Sequence, residues 1–321
     1  MSVAPSNFHF HDLEPAPADF RAEVIAGLSG KTKRLSPKYF YDEQGSRLFD
    51  AITRLPEYYP TRTEIGLLRC FSDEMAGLLG NESLLFELGS GSNIKIRVLI
   101  DALQPQTYAP IDISREYLRL SAGAIAEDHP ELEVHAICAD YSRPLDIPVY
   151  FGTGRRAAFF PGSSIGNFEP AQASALLRRI AALLGRDGRV LIGVDLKKEP
   201  VRLHAAYNDE QGVTAQFNLN LLARINRELD ADFDLSAFRH EAFYNEQLGR
   251  IEMHLVATRP QRVRIDSCCF EFQAGESIHT ENSYKFTIEE FRSLAAHAGL
   301  ASVKVWQDDD ALFSIHCLQP V

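Results

Sequence analysis

The sequence predicts an α/β fold: a mostly parallel sheet covered by helices on both faces, with a second α+β segment inserted into it. Three observations carry this expectation. From Leu84 onward, strand-like and helix-like periodicities alternate along the chain. An early apolar strand runs into a glycine-spaced turn, Leu85-Phe86-Glu87-Leu88-Gly89-Ser90-Gly91-Ser92-Asn93. Beyond Pro200 the alternation gives way to one amphipathic helix and several strand-like segments, and near the C terminus the α/β pattern returns.

Taken in order, Phe20 to Leu28 reads as a short helix. The stretch Leu55 to Glu64 breaks periodicity, and a helix from Glu64 to Leu79 follows, with Thr63 as its expected cap. The α/β run comprises strand 84–88, helix 94–103, strand 108–113, helix 114–127, strand 133–139, strand 157–161, helix 170–184 and strand 189–195. Phe217, Leu221, Leu222, Ile225 and Leu229 recur at three and four, the spacing of one helical face. Arg250 to Thr258, Arg262 to Ile265 and Cys269 to Phe272 alternate as strands do. Helix Ile288 to Ala298, then strands Ala301 to Trp306 and Leu312 to Leu318 around Asp308-Asp309-Asp310, complete a seven-stranded sheet with one antiparallel strand. The expected division is 1–62 as the N-terminal segment of a substrate-binding domain, 63–196 as the first part of the sheet domain, 197–286 as the inserted substrate-binding domain, and 287–321 as the closing helix and hairpin.

Composition restricts the partners. At 321 residues, with 45% hydrophobic and 24% charged side chains, the chain is an ordinary globular protein, large enough for two lobes. A net charge of -11 with no compensating basic cluster disfavours nucleic acid and anionic membranes, so a small-molecule substrate is expected. Five cysteines, among them the adjacent Cys268 and Cys269, give neither a disulfide framework nor a zinc spacing. The start lacks the blocks of a signal peptide, and no apolar run reaches the ~18 residues of a membrane span. A cytoplasmic monomer is the expectation. His9 and His11 have the look of a metal pair, but their acidic, proline-rich setting weighs against one.

The glycine turn marks a nucleoside site. Gly89 permits a tight, positive-φ turn and Gly91 removes a Cβ from a ligand's path. Position 94 is Ile, so the third glycine of the dinucleotide fingerprint is absent and an NAD-dependent oxidoreductase is disfavoured. Asp112 ends the second strand about where a ribose-binding carboxylate falls, roughly 20 residues past the turn. Asp140-Tyr141 closes the third. Each acid alone is ordinary, since Asp often ends strands for turn reasons. The ordered set, Glu87 then Asp112 then Asp140, is the pattern of S-adenosylmethionine (SAM) binders, whose usual tasks are the methionine ammonium, the ribose hydroxyls and the adenine amine.

Further motifs carry a family resemblance. Lys38-Tyr39-Phe40-Tyr41-Asp42, Leu55-Pro56-Glu57-Tyr58-Tyr59-Pro60-Thr61-Arg62-Thr63-Glu64, Pro161-Gly162-Ser163-Ser164-Ile165-Gly166-Asn167, Tyr207-Asn208-Asp209 through Gly212-Val213-Thr214-Ala215 to Phe217-Asn218, and Thr280-Glu281-Asn282-Ser283-Tyr284-Lys285-Phe286 join the glycine turn. Together they resemble the histidine-specific SAM-dependent Nα-methyltransferases of ergothioneine biosynthesis, over nearly the whole chain from about Leu35. The resemblance implies a Rossmann-like, seven-stranded SAM methyltransferase sheet with an inserted α+β substrate-binding domain. It also implies three methyl transfers to the α-amino nitrogen of L-histidine, giving hercynine, with S-adenosyl-L-homocysteine as co-product.

Position by position, the resemblance assigns Glu281 and Ser283 to the imidazole, Asn167 to the substrate carboxylate and amine, and Tyr58 and Tyr207 to the carboxylate. Met253 lines the ring pocket and Tyr41 lies near the reacting amine. Gly89, Lys95, Asp112, Asp140, Tyr141 and Ser164 fall to the cofactor, and no metal is implied. Each residue has a plainer reading: Met253 as core filler between Ile251 and Leu255, Tyr58 and Tyr207 as packing residues, Glu281 as a solvated charge, Lys95 as an exposed helix residue, Cys138 as a small buried apolar group. Other readings of the whole are a SAM-dependent N-methyltransferase of another small amino acid or amine, and a catalytically silent SAM-binding partner.

Overall fold

The computed structural model describes residues 5–13, 17–81, 83–91, 93–144 and 154–321, so Ser92 of the glycine turn lies outside the described residues. The chain begins with β1 (Phe8–Asp12), α1 (Pro17–Ser29), β2 (Lys33–Arg34), α2 (Glu43–Ile52) and α3 (Tyr59–Leu79). The alternating run follows: β3 (Leu84–Leu88), α4 (Ile94–Leu103), β4 (Thr107–Asp112), α5 (Arg115–Asp128), β5 (Glu133–Cys138), β6 (Arg156–Phe160), α6 (Pro170–Leu184) and β7 (Arg189–Asp195). Next come α7 (Pro200–Tyr207), α8 (Val213–Leu229), β8 (Phe238–Asn245), β9 (Arg250–Ala257), β10 (Gln261–Ile265), β11 (Cys268–Phe272) and β12 (Ser277–Tyr284). Helix α9 (Ile288–His297) with β13 (Leu300–Gln307) and β14 (Phe313–Pro320) closes the chain.

Two compact units result: Met1–Glu14, Pro60–Lys197 and Lys285–Val321 form the first, and Pro15–Tyr59 with Lys198–Tyr284 the second. The first is built on a sheet ordered β1-β5-β4-β3-β6-β7-β14-β13. Strands β1 to β7 of this order run parallel, and β14 lies antiparallel to both its neighbours. The seven expected strands are all present, and β1 adds an eighth at the edge. Residues 8–12 therefore belong to the sheet and not to the substrate-binding segment in which the sequence reading placed them; the Phe-His-Phe-His alternation is a strand signal that the proline-rich surroundings obscured.

The sheet is central because its strands are apolar on both sides. In β3, Leu85 faces a core shared with α3, α4 and α5, while Leu84, Phe86 and Leu88 face one shared with α6 and α9. Helix α6 shows how local sequence fixes such an element: Pro170 sits in its first turn, Glu169 and Gln172 form a reciprocal capping box, and Gly185 ends it at φ +68°. Helix α3 starts five residues before its expected position, with Pro60 in the first turn, where a missing N–H costs nothing. Thr63 is thus inside the helix and is not its cap.

The first unit releases and recovers the chain at one point. Leu196 and Phe286 form a β-bridge, the Lys197 N–H donates to the Phe286 carbonyl at 3.0 Å, and Lys285 Nζ pairs with Asp195 Oδ2 at 2.7 Å, both side chains 1% exposed. An insertion whose ends adjoin leaves the host sheet undisturbed.

The second unit holds a sheet ordered β2-β12-β9-β8 and a β10–β11 hairpin. Asp42 caps α2 by accepting from the Gly45 N–H at 2.7 Å, and it also receives Asn220 Nδ2 at 2.8 Å and Arg227 from α8. Phe40 stacks on Phe217 with ring centroids 4.6 Å apart. The sequence reading did not contain α2, α7 or β8; α2 and α7 are short, and β8 carries His240, Glu241 and Asn245 among its apolar residues.

Candidate active site

The residues expected at the cofactor converge by topology. Strands β5, β4, β3 and β6 are adjacent and parallel, so Asp140, Asp112, Gly89 and Ser164 all follow their carboxyl ends, where open α/β sheets bind ligands. Gly89 has φ +75° and its N–H extends the β3–β4 ladder by donating to the Ile111 carbonyl at 2.9 Å, while the Gly91 N–H donates to the Gly89 carbonyl at 2.9 Å and closes the turn. A Cβ on Gly91 meets nothing within 4 Å, so the loop presents backbone to open space. Asp112 Oδ1 accepts from the Ser114 N–H at 2.8 Å, and burial pushes its pKa up to about 6. Asp140 Oδ1 accepts from the Ser142 N–H at 2.9 Å. Tyr141 meets Phe160 edge-on at 5.7 Å, and burial raises its phenol pKa further.

Glu87 lies deepest. It is 2% exposed and accepts a hydrogen bond from the Tyr108 hydroxyl; burial pushes its pKa up to about 7 against the pull of Tyr108, Ser90 and Lys95. Three carboxylates at strand ends, beside a glycine turn open to solvent, suit a ligand with a cationic head, a diol and an amine. They fit SAM.

After β6 the Pro161-Gly162-Ser163-Ser164 turn holds two successive left-handed residues, Gly162 at φ +76° and Ser163 at φ +58°. The Asp195 N–H donating to Ser163 Oγ at 2.9 Å offsets the strain of the second. Ser164 Oγ donates to the Pro161 carbonyl at 3.0 Å. Asn167 ends the short 3-10 helix Ser164–Asn167, half-buried, and its amide has no hydrogen-bond partner among the described residues. It is the one residue of the expected substrate set on the first unit.

On the second unit lie Tyr41, Tyr58, Tyr207, Met253, Glu281 and Ser283. The antiparallel β12–β9 pair sets Glu281 opposite Met253 and Ser283 opposite Ile251, so all four side chains share a face. A β-bulge makes this arrangement. His279 pairs with His254, but the register shifts by one at Thr280, which moves Glu281 and Ser283 to the face opposite His279. Thr280 Oγ1 is held by the Asn218 Oδ1 acceptor at 2.8 Å and lies 3.1 Å from the Met253 carbonyl. Asn218, fully buried in α8, also donates to the His254 carbonyl at 3.0 Å.

Tyr207 closes α7 and donates its hydroxyl to Ser283 Oγ at 2.8 Å, while its carbonyl faces His240 Nε2 at 2.9 Å. Tyr58 packs edge-on against Tyr207 at 6.4 Å and against Phe49 at 6.2 Å; Tyr41 packs against Phe49 and Phe217 at 5.7 and 5.8 Å. Glu281 is 9% exposed, Met253 2%. The result is a buried carboxylate that shares its strand face with a thioether and with the Ser283–Tyr207 hydroxyl pair.

A family model described as the SAM-dependent histidine-specific methyltransferases matches residues 20–320. The chain belongs to this family. It is 44% identical over 322 residues to the histidine N-alpha-methyltransferase of Mycolicibacterium smegmatis, with 98% of each chain covered. It is 43% identical over 302 residues to the protein of the same name from Mycobacterium tuberculosis, covering 92% of this chain and 93% of that one. Ergothioneine biosynthesis protein 1 of Neurospora crassa is 31% identical over 284 residues, covering 85% of this chain and 32% of the relative. The protein is a SAM-dependent methyltransferase.

Several residues of this methyltransferase escaped the sequence reading. Glu64 is fully buried, pairs with Lys95 Nζ at 2.6 Å and accepts from the Gly162 N–H at 2.9 Å. Lys95 is therefore neither an exposed helix residue nor an unpartnered cation: it joins the glycine-turn helix to the Gly162 turn through Glu64. Gly193 makes the room, since a Cβ there meets Glu64 Oε1 at 2.2 Å. Asp209 caps α8 by accepting from the Val213 and Thr214 N–H groups, both at 2.8 Å. The signal for these residues lay in the motifs themselves, where Glu64, Asp209 and Asn218 stand without an assigned task.

Proposed function

We propose that the methyltransferase moves three methyl groups in succession from SAM to the α-amino nitrogen of free L-histidine, giving N,N,N-trimethyl-L-histidine (hercynine) in ergothioneine biosynthesis. The observation that carries this reading is Glu281, a buried carboxylate facing Met253 and sharing its strand face with the Ser283–Tyr207 hydroxyl pair. A neutral imidazole has one N–H donor and one acceptor nitrogen, so a carboxylate and a hydroxyl satisfy it together. The Met253 thioether suits the ring edge. The two mycobacterial relatives, both named histidine N-alpha-methyltransferases, favour the same substrate.

The other residues divide the remaining work. Tyr58 and Asn167 take the substrate carboxylate and amine, with Tyr207 bridging from Ser283, and Tyr41 lies toward the amine. Gly89, Asp112, Asp140, Tyr141 and Ser164 hold the cofactor, with Glu87 toward its ammonium and Lys95 acting through Glu64. SAM supplies an electrophilic methyl on a positively charged sulfur. The chain supplies orientation and holds the substrate amine unprotonated; a peptide α-amino group titrates near ~7.7–8.0 and the carboxylate of a free amino acid holds its amine above that range, so favouring the neutral amine is part of the site's work. Successive transfers change the nitrogen but leave imidazole and carboxylate unaltered. Anchoring through those two groups keeps the nitrogen in place while it gains bulk.

Mass spectrometry of L-histidine incubated with SAM and the protein tests the proposal. Accumulation of a product heavier by three methyl groups is expected. A product that stops at one, or no histidine product at all, refutes the trimethylation reading.

A further inference from the structure

His9 and His11, which the sequence reading set aside, are not in a loose terminus. They lie on β1, which pairs with β5 over five residues. Asn7 fastens its start by donating to the Leu132 carbonyl at 2.8 Å, and the Leu13 N–H donates to the Cys138 carbonyl at 2.8 Å beyond its end. Phe8 and Phe10 turn to the apolar core, so His9 and His11 point to the other face. In the parallel register His9 stands beside His135, and Glu133 lies two residues before His135 on the same face.

The side chains converge as this register requires. One ligand atom from each of His9, Glu133 and His135 lies within 4.8 Å of the others. His9 Nε2 is 3.2 Å from Glu133 Oε2, and His11 Nε2 is 3.1 Å from His135 Nδ1. His135 stacks between the other two rings, at 4.5 Å from His9 and 5.4 Å from His11. Tetrahedral zinc with bonds of about 2.0–2.1 Å sets its ligand atoms about 3.3 Å apart, close to the His9–Glu133 contact, while His11 lies outside the group and meets the Nδ1 side of His135. Among the described residues no Lys or Arg forms an ion pair with Glu133, so no fixed cation neutralises it. The face is accessible, with His9 and Glu133 exposed.

We propose that His9, Glu133 and His135 bind one borderline divalent transition metal ion, zinc foremost, with His11 orienting the His135 ring, and that the ion clamps the first strand to the edge of the sheet. Two imidazoles and one carboxylate favour zinc, nickel or copper over magnesium or calcium, which prefer all-oxygen sites. The role is structural: edge strands open readily, and an ion joining β1 to β5 opposes that opening. A second cluster, Glu252, His254 and His279, is the weaker candidate because Arg250 already pairs with Glu252 at 2.8 Å.

The test uses untagged, full-length protein stripped with chelator and titrated with zinc against a chromophoric competitor. One equivalent is expected, with visible d–d bands of a tetrahedral centre when cobalt(II) replaces zinc, and a rise in melting temperature on zinc addition. His135→Asn and the double variant His9→Asn/His135→Asn are expected to lose the equivalent and the cobalt bands, and His11→Asn to weaken binding by about 10–100-fold. SAM affinity equal to that of the native protein reports that each variant is folded. No uptake by the native protein, or undiminished uptake by the folded double variant, overturns the proposal.

Discussion

Single residues decide specificity and the response to pH. A buried carboxylate that meets a substrate N–H rejects an analogue without that donor, because the carboxylate is then desolvated and unpaired; sites of this kind discriminate by ~10⁴–10⁵. Glu281 is therefore expected to separate histidine from phenylalanine by a factor of that order in kcat/KM. In Glu281→Ala, histidine turnover is expected to collapse and the gap to narrow, with SAM affinity by calorimetry unchanged; native discrimination in the variant would refute the imidazole clamp. A second prediction comes from the strand-end acids. Burial raises Glu87 to about 7 and Asp112 to about 6, so both carry protons in the free protein below those values. With raised folded-state values, their contribution to stability is fully present below the ordinary carboxylate range and is lost as pH rises through about 6 and about 7. A cationic ligand prefers the ionised forms, so SAM affinity is expected to increase with pH across the same window and then level off. Calorimetry near pH 6 in two buffers of different ionisation enthalpy should detect proton release on binding, diminished in Glu87→Gln. These side chains were legible in sequence because Glu, Asp and Gly stood at fixed places around a strand end. Glu64 was not, since a glutamate in a helix reads as solvated until Lys95, Gly162 and Gly193 are seen around it.

Elements aim those residues. The sequence showed that Glu281 and Ser283, two apart on an extended segment, share a side; it did not show which side. The bulge at Thr280 decides that, and its cause lies 62 residues away at Asn218 on α8. Thr280→Val keeps the shape of the side chain but removes the donor and strands a buried amide oxygen, at a cost of about 1–3 kcal/mol. Urea denaturation is expected to register that loss, and KM for histidine is expected to rise while SAM affinity stays native. A variant with native stability and native KM would show that the bulge stands without this bond. On the other unit, Gly193→Ala drives a Cβ into Glu64 Oε1 at 2.2 Å and the Phe313 ring at 3.0 Å. Overpacking of this kind costs about 1–3 kcal/mol. Because Glu64 positions Lys95 and the Gly162 turn, weaker SAM binding is expected along with the lower melting temperature. If stability falls but SAM affinity does not, the Glu64–Lys95 pair has no part in the cofactor site.

At the scale of the molecule, the α/β run was legible because its strands are apolar on both faces and its helices keep their period. The insertion was legible because that rhythm stops and resumes. What could not be read was the allotment of the N-terminal residues. Residues 8–12 join the first unit as β1, whereas Pro15–Tyr59 joins Lys198–Tyr284 in the second, and only long-range pairing decides such membership. The residues proposed for the cofactor lie on the first unit and those proposed for the imidazole on the second, and each proposal is measurable by itself. Hydrogen exchange on the native protein with SAM alone is expected to slow the amides around Gly89, Asp112 and Asp140 on the first unit, because a ligand that binds only the folded state suppresses local opening by its binding free energy. Adding histidine with S-adenosyl-L-homocysteine is expected to slow, in addition, the amides around Tyr58, Tyr207 and residues 280–284 on the second. The bulge amides are the most informative, since they exchange through local opening of β12 and report directly on the strand that carries Glu281. Histidine protection absent from 280–284 but present elsewhere would reassign the ring pocket, and no histidine-dependent protection anywhere would remove histidine as the substrate while leaving the cofactor assignment intact.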